Sequence, residues 1–295
     1  MIQEIVFQIA KRRISTGVSG PANYAASRSS TQEYADWREQ TLEDEFLENF
    51  SPDIVKDKDI LDFGCGNGAL SFLMVRLGAK SCIGVDLDQR SIDIANDRAR
   101  GKAISFKHAS STTRIDLADH SIDVIVCFDV MEHIMEYKSI MGEWHRVLRP
   151  GGKVLIHWQP WFHPYGHHGQ DYLPIPWVHV FLNSRQRSEV SARIVDLPEF
   201  DAPSWDYDEN NNRINRFREA IKQNRADREG FLNKLTMWKF EHLCEKVGLN
   251  IERQALKSFQ GPFIVRKISL AMTKVPGMRE FFTANVVYVL SKPNG

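Results

Sequence analysis

Residues 61–68 read LDFGCGNG, and this stretch decides the fold class. The apolar run Ile60–Phe63 before it is typical of a short buried strand, and Leu70–Leu77 after it has the apolar spacing of a helix. The three glycines between them predict a tight turn in which the backbone passes close to a ligand, because a Cβ would collide there. Dinucleotide-binding proteins use a similar turn, so the turn alone indicates only a nucleotide-like ligand at a helix N-terminus.

The sequence on either side of the turn extends this pattern into a sheet. From Asp59 to Trp158, apolar runs bounded by glycine alternate with amphipathic helical stretches, as in a parallel sheet buried on both faces. Near the end of the chain, Leu249–Gln254 and Asn285–Leu290 read as two further strands. The predicted fold is therefore α/β: a doubly wound, Rossmann-like seven-stranded sheet with an antiparallel terminal strand pair.

Residues 159–233 interrupt the alternation and predict a mainly helical cap, inserted after a core strand. We expect helices at about 184–194 and about 212–230, with a loop over 206–212. The predicted domains are an N-terminal arm and helix (1–50), a core (51–158), the cap insertion (159–233) and the C-terminal part of the core sheet (234–295). Residues 15–32, rich in Ser and Gly, read as a loop or flexible arm.

Composition excludes several classes of protein. The chain has 295 residues, 42% hydrophobic, with a formal net charge of +0, which gives no electrostatic reason for an obligatory nucleic-acid partner. Its four cysteines form no CxxC pair and predict reduced, buried thiols. No signal peptide is evident, and the longest apolar run, near Phe281–Leu290, is too short to span a bilayer. We expect a cytoplasmic protein with no membrane partner; its oligomeric state stays open.

Two acidic residues accompany the glycine turn. Asp62 lies two residues before the first glycine, and Asp86 closes the next strand in the stretch 84–88, GVDLD. A carboxylate at the end of a second strand can accept both ribose hydroxyls, as in dinucleotide folds. The alternative for Asp86 is a helix N-cap.

In these motifs the chain resembles the class I S-adenosylmethionine-dependent methyltransferases. It is most similar to the small-molecule group that includes the ubiquinone-biosynthesis O-methyltransferases. The matching stretches are 61–68, 84–88, 122–134 (IDVIVCFDVMEHI), 148–158 (LRPGGKVLIHW) and 236–249 (TMWKFEHLCEKVGL). The resemblance covers roughly residues 33–158 and 235–292. It implies an enzyme that uses S-adenosylmethionine (SAM) as its cofactor.

The resemblance also implies a set of cofactor-binding residues. This set comprises Asp62, Gly64, Cys65, Gly66, Gly68, Asp86, Leu87, Ser110, Ser111 and Asp129. In it, the glycines line the methionine part of SAM and Asp62 holds the ammonium group, directly or through water. Asp86 takes the ribose hydroxyls, Leu87 packs on the adenine, and Asp129 lies between cofactor and substrate.

One position departs from the family pattern. Many relatives carry an acidic residue after the third strand, which accepts a hydrogen bond from the adenine amino group. This chain has His108-Ala109-Ser110-Ser111 there, so Ser110 and Ser111 are the candidates for that contact.

The predicted catalytic residues are Glu132, His133, His167 and His168. By resemblance, the Glu132-His133 pair either orients the following loop or, as in small-RNA 3′-end methyltransferases, binds a divalent ion with a distant histidine; direct acid–base chemistry is a third reading. The loop 159–172 is rich in His and Tyr, and it is either a packed aromatic loop or a substrate wall with His167 or His168 as base. No separate metal site is predicted, but Glu132, His133 and one of these two histidines could share a Zn²⁺, Mn²⁺ or Fe²⁺ ion.

The predicted function is SAM-dependent methyl transfer to a small-molecule acceptor, first at oxygen and next at nitrogen or carbon. The alternatives are an RNA-end methyltransferase with a Glu/His-bound divalent metal, a non-catalytic SAM-binding protein and a nucleotide-dependent oxidoreductase. Arginine and lysine recur over 213–228, and this run is either a solvated helix face or a site for an acidic substrate.

Overall fold

The computed structural model describes residues 1–16, 31–101, 103–200, 206–207, 210, 212–224, 232–259 and 262–294. Its nine strands are β1 (Asp59–Phe63), β2 (Ser81–Asp86), β3 (Ile104–His108), β4 (Ile122–Phe128), β5 (Leu148–Trp158), β6 (Asp206–Tyr207), β7 (Arg213–Ile214), β8 (Asn250–Lys257) and β9 (Asn285–Ser291). Seven of them form one sheet in the order β3-β2-β1-β4-β5-β9-β8, and β6 pairs with β7.

The α-helices of the described residues are α1 (Ile2–Ser15), α2 (Thr31–Asn49), α3 (Ala69–Arg76), α4 (Gln89–Ala99), α5 (Tyr137–Val147), α6 (Val178–Phe181), α7 (Ser184–Val195), α8 (Arg216–Lys222), α9 (Met237–Val247) and α10 (Phe263–Met272). Short 3₁₀ turns cover Pro52–Ile54 and Met131–His133. Among the described residues, no helix combines the length and the apolar character needed to cross a bilayer.

The sheet confirms the predicted fold class. Strands β1 to β5 pair in parallel, so their carboxyl ends meet at one edge, while β9 runs antiparallel to both β5 and β8. The chain order reverses at β1, which lies between β2 and β4. Ligands of doubly wound sheets bind in the crevice at such a switch point. The topology therefore directs attention to the carboxyl end of β1.

Helices cover both faces of the sheet, as its apolar strands require. On one face, Trp144 of α5 and Phe240 of α9 are fully buried against β5 and β9. On the other face, Phe46 of α2 and Met74 of α3 are fully buried against β1 and β4.

A separate apolar cluster joins α1 to the cap. Val6 and Phe7 of α1 pack with Val190 and Ile194 of α7. The Arg193 guanidinium lies 3.7 Å from the centre of the Phe7 ring. Residues 1–50 are predicted as one unit, but their two helices pack in different places. Helix α1 packs on the cap, and helix α2 packs on the core sheet.

The structure corrects several predicted boundaries in and around the cap. Helix α7 covers 184–195 as expected, but the second predicted helix begins at Arg216 and not at 212. Its start is set by Asn215, whose side chain accepts hydrogen bonds from the N–H groups of Phe217 and Arg218. Within the predicted loop 206–212, residues 206–207 pair with 213–214 as β6 and β7. Residues 225–231, and 17–30 of the predicted arm, lie outside the described residues.

The Phe106 ring of β3 fills the space beside Gly68 and Gly84, which have no side chains. A Cβ on Gly84 would lie 2.5 Å from Phe106 Cδ1 and 2.8 Å from Cys65 Sγ. We expect Gly84→Ala to lower the free energy of unfolding by about 1–3 kcal/mol, measured by urea denaturation. The matched control is Gly142→Ala in α5, where a Cβ meets nothing within 4 Å and should stabilise the helix by about 0.5–1 kcal/mol. Equal effects of the two substitutions would contradict the packing argument.

Candidate functional site

The three glycines of the turn after β1 have positive φ angles of +79°, +50° and +87° at Gly64, Gly66 and Gly68. A Cβ on Gly64 would lie 2.5 Å from the Val130 side chain, and one on Gly68 would lie 2.5 Å from Phe106. A Cβ on Gly66 would meet nothing within 4 Å. Protein packing therefore excludes side chains at Gly64 and Gly68, whereas Gly66 borders open space.

Asp86, at the end of β2, braces this turn. Its Oδ2 accepts a hydrogen bond from the Gly66 N–H at 2.8 Å, and its Oδ1 accepts one from the Asp88 N–H at 2.9 Å. The N-cap of α4 is Asp88, which accepts hydrogen bonds from the N–H groups of Arg90 and Ser91. The helix-cap role considered for Asp86 therefore belongs to Asp88.

Two cavities border the turn and share Gly64 and Val130. The turn cavity has a volume of about 620 Å³ and is lined by Arg38, Leu42, Asp62, Gly64, Cys65, Gly66, Asn67, Ala69, Leu70, Arg90, Ser91, Ile94, Arg98, Phe128, Asp129 and Val130. The strand cavity, of about 290 Å³, is lined by Phe63, Gly64, Val85, Asp86, Leu87, Ala109, Ser111, Thr112, Val130, His133, Ile134, Met135 and Ile140. The two cavities adjoin each other at the carboxyl ends of β1, β2 and β4.

Asp62 places an acidic group at the floor of the turn cavity. The residue is only 2% exposed, and its Oδ2 accepts a hydrogen bond from Ser71 Oγ at 2.6 Å. Burial, with a smaller contribution from the nearby Asp86 charge, raises the pKa of Asp62 to about 7, although the hydrogen bond from Ser71 opposes the rise. Burial disfavours the carboxylate, so a cationic ligand group beside it would restore its charge.

The pKa of Asp129 is lowered, in contrast to that of Asp62. Its Oδ2 accepts a hydrogen bond from Arg38 Nη2 of α2 at 2.6 Å, and its Oδ1 lies 2.9 Å from His157 Nδ1. Burial favours protonation of Asp129, but the His157 ring and the Arg38 guanidinium outweigh this effect and hold its pKa well below the usual range. Asp129 has a positive φ of 55°, a strained conformation that is enriched at functional sites.

The structure brings together three of the predicted catalytic residues, Glu132, His133 and His168. One ligand atom from each lies within 4.8 Å of the others, and His168 Nε2 is 3.9 Å from Glu132 Oε1. Burial raises the pKa of Glu132 to about 8 and lowers that of His168 to about 4. Glu132 Oε2 is buried without a hydrogen-bond partner among the described residues. Burial therefore favours the neutral forms of Glu132 and His168, and the cluster has unused acceptor capacity among the described residues.

Asn233 holds the turn that carries Glu132. Its Nδ2 donates to the carbonyl oxygens of Met131 and Ile134 at 2.7 and 2.9 Å, and its N–H donates to the Glu132 carbonyl oxygen at 2.9 Å. Sequence reasoning missed this residue because it lies about 100 positions away from the turn.

His167 is not one of the residues whose ligand atoms meet in the cluster of Glu132, His133 and His168. Its Nδ1 accepts a hydrogen bond from the Gly169 N–H at 3.0 Å, and its ring lies 5.3 Å from that of His179. Burial lowers the pKa of His167 well below its usual range. The catalytic role of His167 stays a prediction.

A third cavity adjoins the loop that carries both histidines. This cap cavity, of about 360 Å³, is lined by His167, His168, Gly169, Tyr172, Leu173, Ser188, Ser191, Arg216, Phe217 and Ala220. The Tyr172 and Phe217 rings meet edge to face at 4.9 Å. Because His133 lines the strand cavity and His168 lines the cap cavity, their cluster lies between the two.

The remaining predicted cofactor residues differ in their surroundings. Leu87 is 58% exposed and lines the strand cavity, as does Ser111. Ser111 Oγ accepts hydrogen bonds from the N–H groups of Thr113 and Arg114, which holds the loop in a turn. Ser110 borders a neighbouring cavity of about 50 Å³. Sequence reasoning missed Arg38 and Val130, because nothing local marks a side chain that reaches a cavity from another element.

Comparisons with known proteins agree with this geometry. Residues 61–156 match the methyltransferase domain family. The chain is 36% identical over 113 residues to a ubiquinone biosynthesis O-methyltransferase of Idiomarina loihiensis, covering 38% of this chain and 46% of that one. It is 36% identical over 99 residues to a probable S-adenosylmethionine-dependent methyltransferase of Mycolicibacterium smegmatis, covering 34% and 37%. The chain thus spans less than half the length of these curated relatives.

A solved structure supports the fold over most of the chain. It is a chain of the complex between the Haloferax volcanii Trm112 methyltransferase activator and a methyltransferase, with a TM-score of 0.51 and 15% identity. The match covers 93% of this chain and 100% of that one. The resemblance stated from the sequence is confirmed.

The raised pKa of Asp62 predicts how stability depends on pH. In the unfolded chain the carboxyl ionises near pH 4 and in the folded chain near pH 7, so stability falls between these values by up to about 1.4 kcal/mol per pH unit. We expect Asp62→Asn to remove this loss and to be more stable than the parent at pH 8, measured by urea denaturation at pH 5 and 8. Asp93→Asn, at an exposed site of α4, should keep the parent's pH dependence. A parent-like pH dependence in Asp62→Asn would count against the buried charge as its source.

Proposed function

We propose, for a chain whose core is a class I methyltransferase domain, that it transfers a methyl group from SAM to a small-molecule acceptor at oxygen. The observation that carries this proposal is the pair of adjoining cavities that share Gly64 and Val130, with Asp62 and Asp129 in the wall of one and Asp86 in the wall of the other. SAM has an ammonium group at one end and a ribose and adenine at the other. Its ammonium group would lie beside Asp62 in the turn cavity, and its ribose would lie beside Asp86 in the strand cavity.

The residues suggest one orientation for SAM. Its methionine part lies in the turn cavity, where the buried Asp62 carboxylate receives the ammonium group. Its ribose hydroxyls donate to Asp86, whose carboxylate oxygens each retain acceptor capacity beside their backbone N–H partner. The adenine lies in the strand cavity against Leu87, Ile134 and Met135. This orientation directs the sulfonium methyl towards Val130 and the cap.

The cap cavity supplies the acceptor site. Its aromatic walls, Tyr172 and Phe217, suit a flat apolar body, and the hydroxyls of Ser188 and Ser191 suit polar substituents. The Arg216 guanidinium on its rim suits an acidic group of the acceptor. We therefore propose a hydroxylated, apolar acceptor that carries an acidic group.

Methyl transfer to a hydroxyl forms an O–CH₃ bond, breaks the S–CH₃ bond and releases one proton. Burial lowers the pKa of His168 to about 4, so the ring is neutral at physiological pH but weakly basic. The acceptor oxygen becomes strongly acidic as its bond to the methyl group forms, so even this weak base can accept the proton that it releases. Glu132 lies beside His168, with its Oε1 3.9 Å from His168 Nε2, and is placed to orient the ring. The main contribution of the enzyme is to hold oxygen, methyl and sulfur in line.

A divalent ion is the alternative use of the same cluster. Glu132, His133 and His168 offer one carboxylate and two imidazoles, a donor set that suits Zn²⁺, Mn²⁺ or Fe²⁺, and the unpartnered Glu132 oxygen fits this reading. When bound, such an ion would make the acceptor oxygen more nucleophilic.

Replacing Asp86 tests the cofactor assignment. We expect Asp86→Ala to weaken SAM binding at least roughly 100-fold, because hydrogen bonds to a charged group contribute about 1.5–3 kcal/mol each. Isothermal titration calorimetry measures the change, and circular dichroism checks that the chain stays folded. The control is Asp88→Ala, which should cost about 1 kcal/mol of stability through the lost N-cap of α4 but leave SAM affinity unchanged. An unaltered affinity in Asp86→Ala would refute the ribose assignment.

Replacing His168 tests the acceptor side. We expect the protein to transfer tritiated methyl groups from SAM into the small-molecule fraction of a cell extract, and not into its RNA or protein fractions. We expect His168→Ala to lose at least roughly 100-fold of this activity with SAM affinity intact, because a positioned general base contributes that much. His242→Ala, at an exposed site of α9, is the matched control and should keep full activity.

The outcomes separate the competing readings. Labelling of RNA would favour the RNA-end alternative, and the absence of labelling in every fraction would favour a non-catalytic SAM-binding protein. Full turnover after treatment with EDTA supports His168 as the proton acceptor, whereas loss that Mn²⁺ or Zn²⁺ restores supports the metal. If neither His168→Ala nor His167→Ala reduces turnover, the loop 159–172 is only structural.

A further inference from the structure

Helix α10 stands on the surface in the excursion between β8 and β9. Ser269 is its one buried residue. The Ser269 Oγ donates to the Phe282 carbonyl oxygen at 2.6 Å and accepts from the Phe259 N–H at 3.3 Å. The two hydrogen bonds of Ser269 thus attach the helix to the rest of the protein, while most of its other side chains are exposed.

The outward side chains of α10 are large and apolar. Phe263 is 70% exposed, Ile264 62%, Ile268 52% and Leu270 51%, and Val275 just beyond the helix is 42% exposed. Ile264 and Ile268 are four residues apart in the helix and so lie on the same side of it. A concentration of large exposed apolar side chains on a folded protein marks a candidate interaction site.

The charged residues of this segment of the chain are all positive. Arg266, Lys267 and Lys274 lie within or directly after α10, and residues 258–278 contain neither Asp nor Glu. The Lys267 Nζ lies 4.4 Å from the centre of the Phe263 ring, so its aliphatic stem runs along the apolar surface. In contrast, Lys257 and Arg279, outside this segment, pair with Glu48 and Glu241.

This charge pattern decides which partner fits. In a two-fold contact between copies, the same surface of each copy faces the other. The three cations of one copy would then lie close to the same three cations of its partner and repel them. An anionic lipid surface instead accepts the apolar side chains among its acyl chains and the cations among its phosphates. Helix α10 has 10 residues and is about 15 Å long, which is half the thickness of a bilayer core. We infer that α10 lies in the plane of an anionic membrane surface and docks the protein there.

The excursion that carries α10 also contacts residues 159–181 through Phe281 and Phe282. The Phe162 and Phe281 rings stack at 4.6 Å, and the Trp177 and Phe282 rings meet at 5.9 Å. A docked α10 would therefore hold the side of the molecule that carries these residues close to the lipid. The inference departs from the sequence expectation of no membrane partner, which considered only a spanning segment, and it does not depend on the proposed function.

Vesicle sedimentation with the full chain tests this inference. Vesicles of phosphatidylcholine alone are compared with vesicles that also contain one third phosphatidylglycerol. We expect the anionic vesicles to bind the protein at least roughly tenfold more strongly, an advantage that falls as salt is added. Ile264→Glu/Ile268→Glu and, separately, Lys267→Glu/Lys274→Glu should each reduce binding at least roughly tenfold. All four sites are exposed, so the thermal unfolding midpoint should stay unchanged.

The matched control is Ile5→Glu/Ile9→Glu on α1. These isoleucines are 54% and 43% exposed and receive the same chemical change on a different helix, so this variant should bind as the parent does. The inference is overturned if the parent fails to bind anionic vesicles, or if the α1 variant loses as much binding as the α10 variants. It is also overturned if light scattering shows a dimer that both α10 variants dissociate, because the surface then contacts a second copy.

Discussion

The hydrogen bond from the Gly66 N–H to the Asp86 carboxylate ties the turn after β1 to the end of β2. The Val85 carbonyl oxygen adds two more ties, since it accepts from the N–H groups of Gly64 and Cys65. These bonds exist because β1 and β2 pair in parallel with Phe63 opposite Val85, which brings both strand ends to one edge. Once the turn is fixed in this way, Gly64 becomes a shared wall of two cavities, and the rest of the binding region is built around it.

Two carboxyl groups in the turn cavity have opposite electrostatic situations. Asp129 already has a guanidinium and an imidazole beside it, and its charge is stabilised in the empty protein. Among the described residues, Asp62 has the Ser71 hydroxyl as its side-chain hydrogen-bond partner, and burial opposes its charge. A ligand cation therefore gains more at Asp62 than at Asp129, although both face the same space. This difference orients an asymmetric ligand without any change of shape in the protein.

Local patterns in the sequence were sufficient for the core. Glycine spacing, apolar runs and the acidic residues at 62 and 86 are short-range signals, and each predicted strand of the sheet is present. The meeting of His168 with Glu132 depends on the path of a long loop, which no periodicity encodes. His168 lies beside Glu132, whereas the neighbouring His167 lies beside His179. The backbone at His168 has a positive φ of 52°, and the sequence pattern does not predict this turn of the chain. The sequence did not predict that the apolar side chains of helix α10 are exposed. A buried apolar helix and an exposed one have the same local sequence pattern.

The packing of α1 on the cap has a consequence for the order in which the molecule assembles. Val6 and Phe7 meet Val190 and Ile194, so the first helix of the chain finds its partners about 185 residues later. During synthesis, the apolar face of α1 leaves the ribosome long before those partners exist, and contacts this distant in sequence form late because of the entropy of loop closure. The core sheet also ends with its last strand, β9, between β5 and β8. Helix α1 and strand β9 are thus both needed to complete the structure, and the nascent protein exposes apolar surface until β9 has emerged.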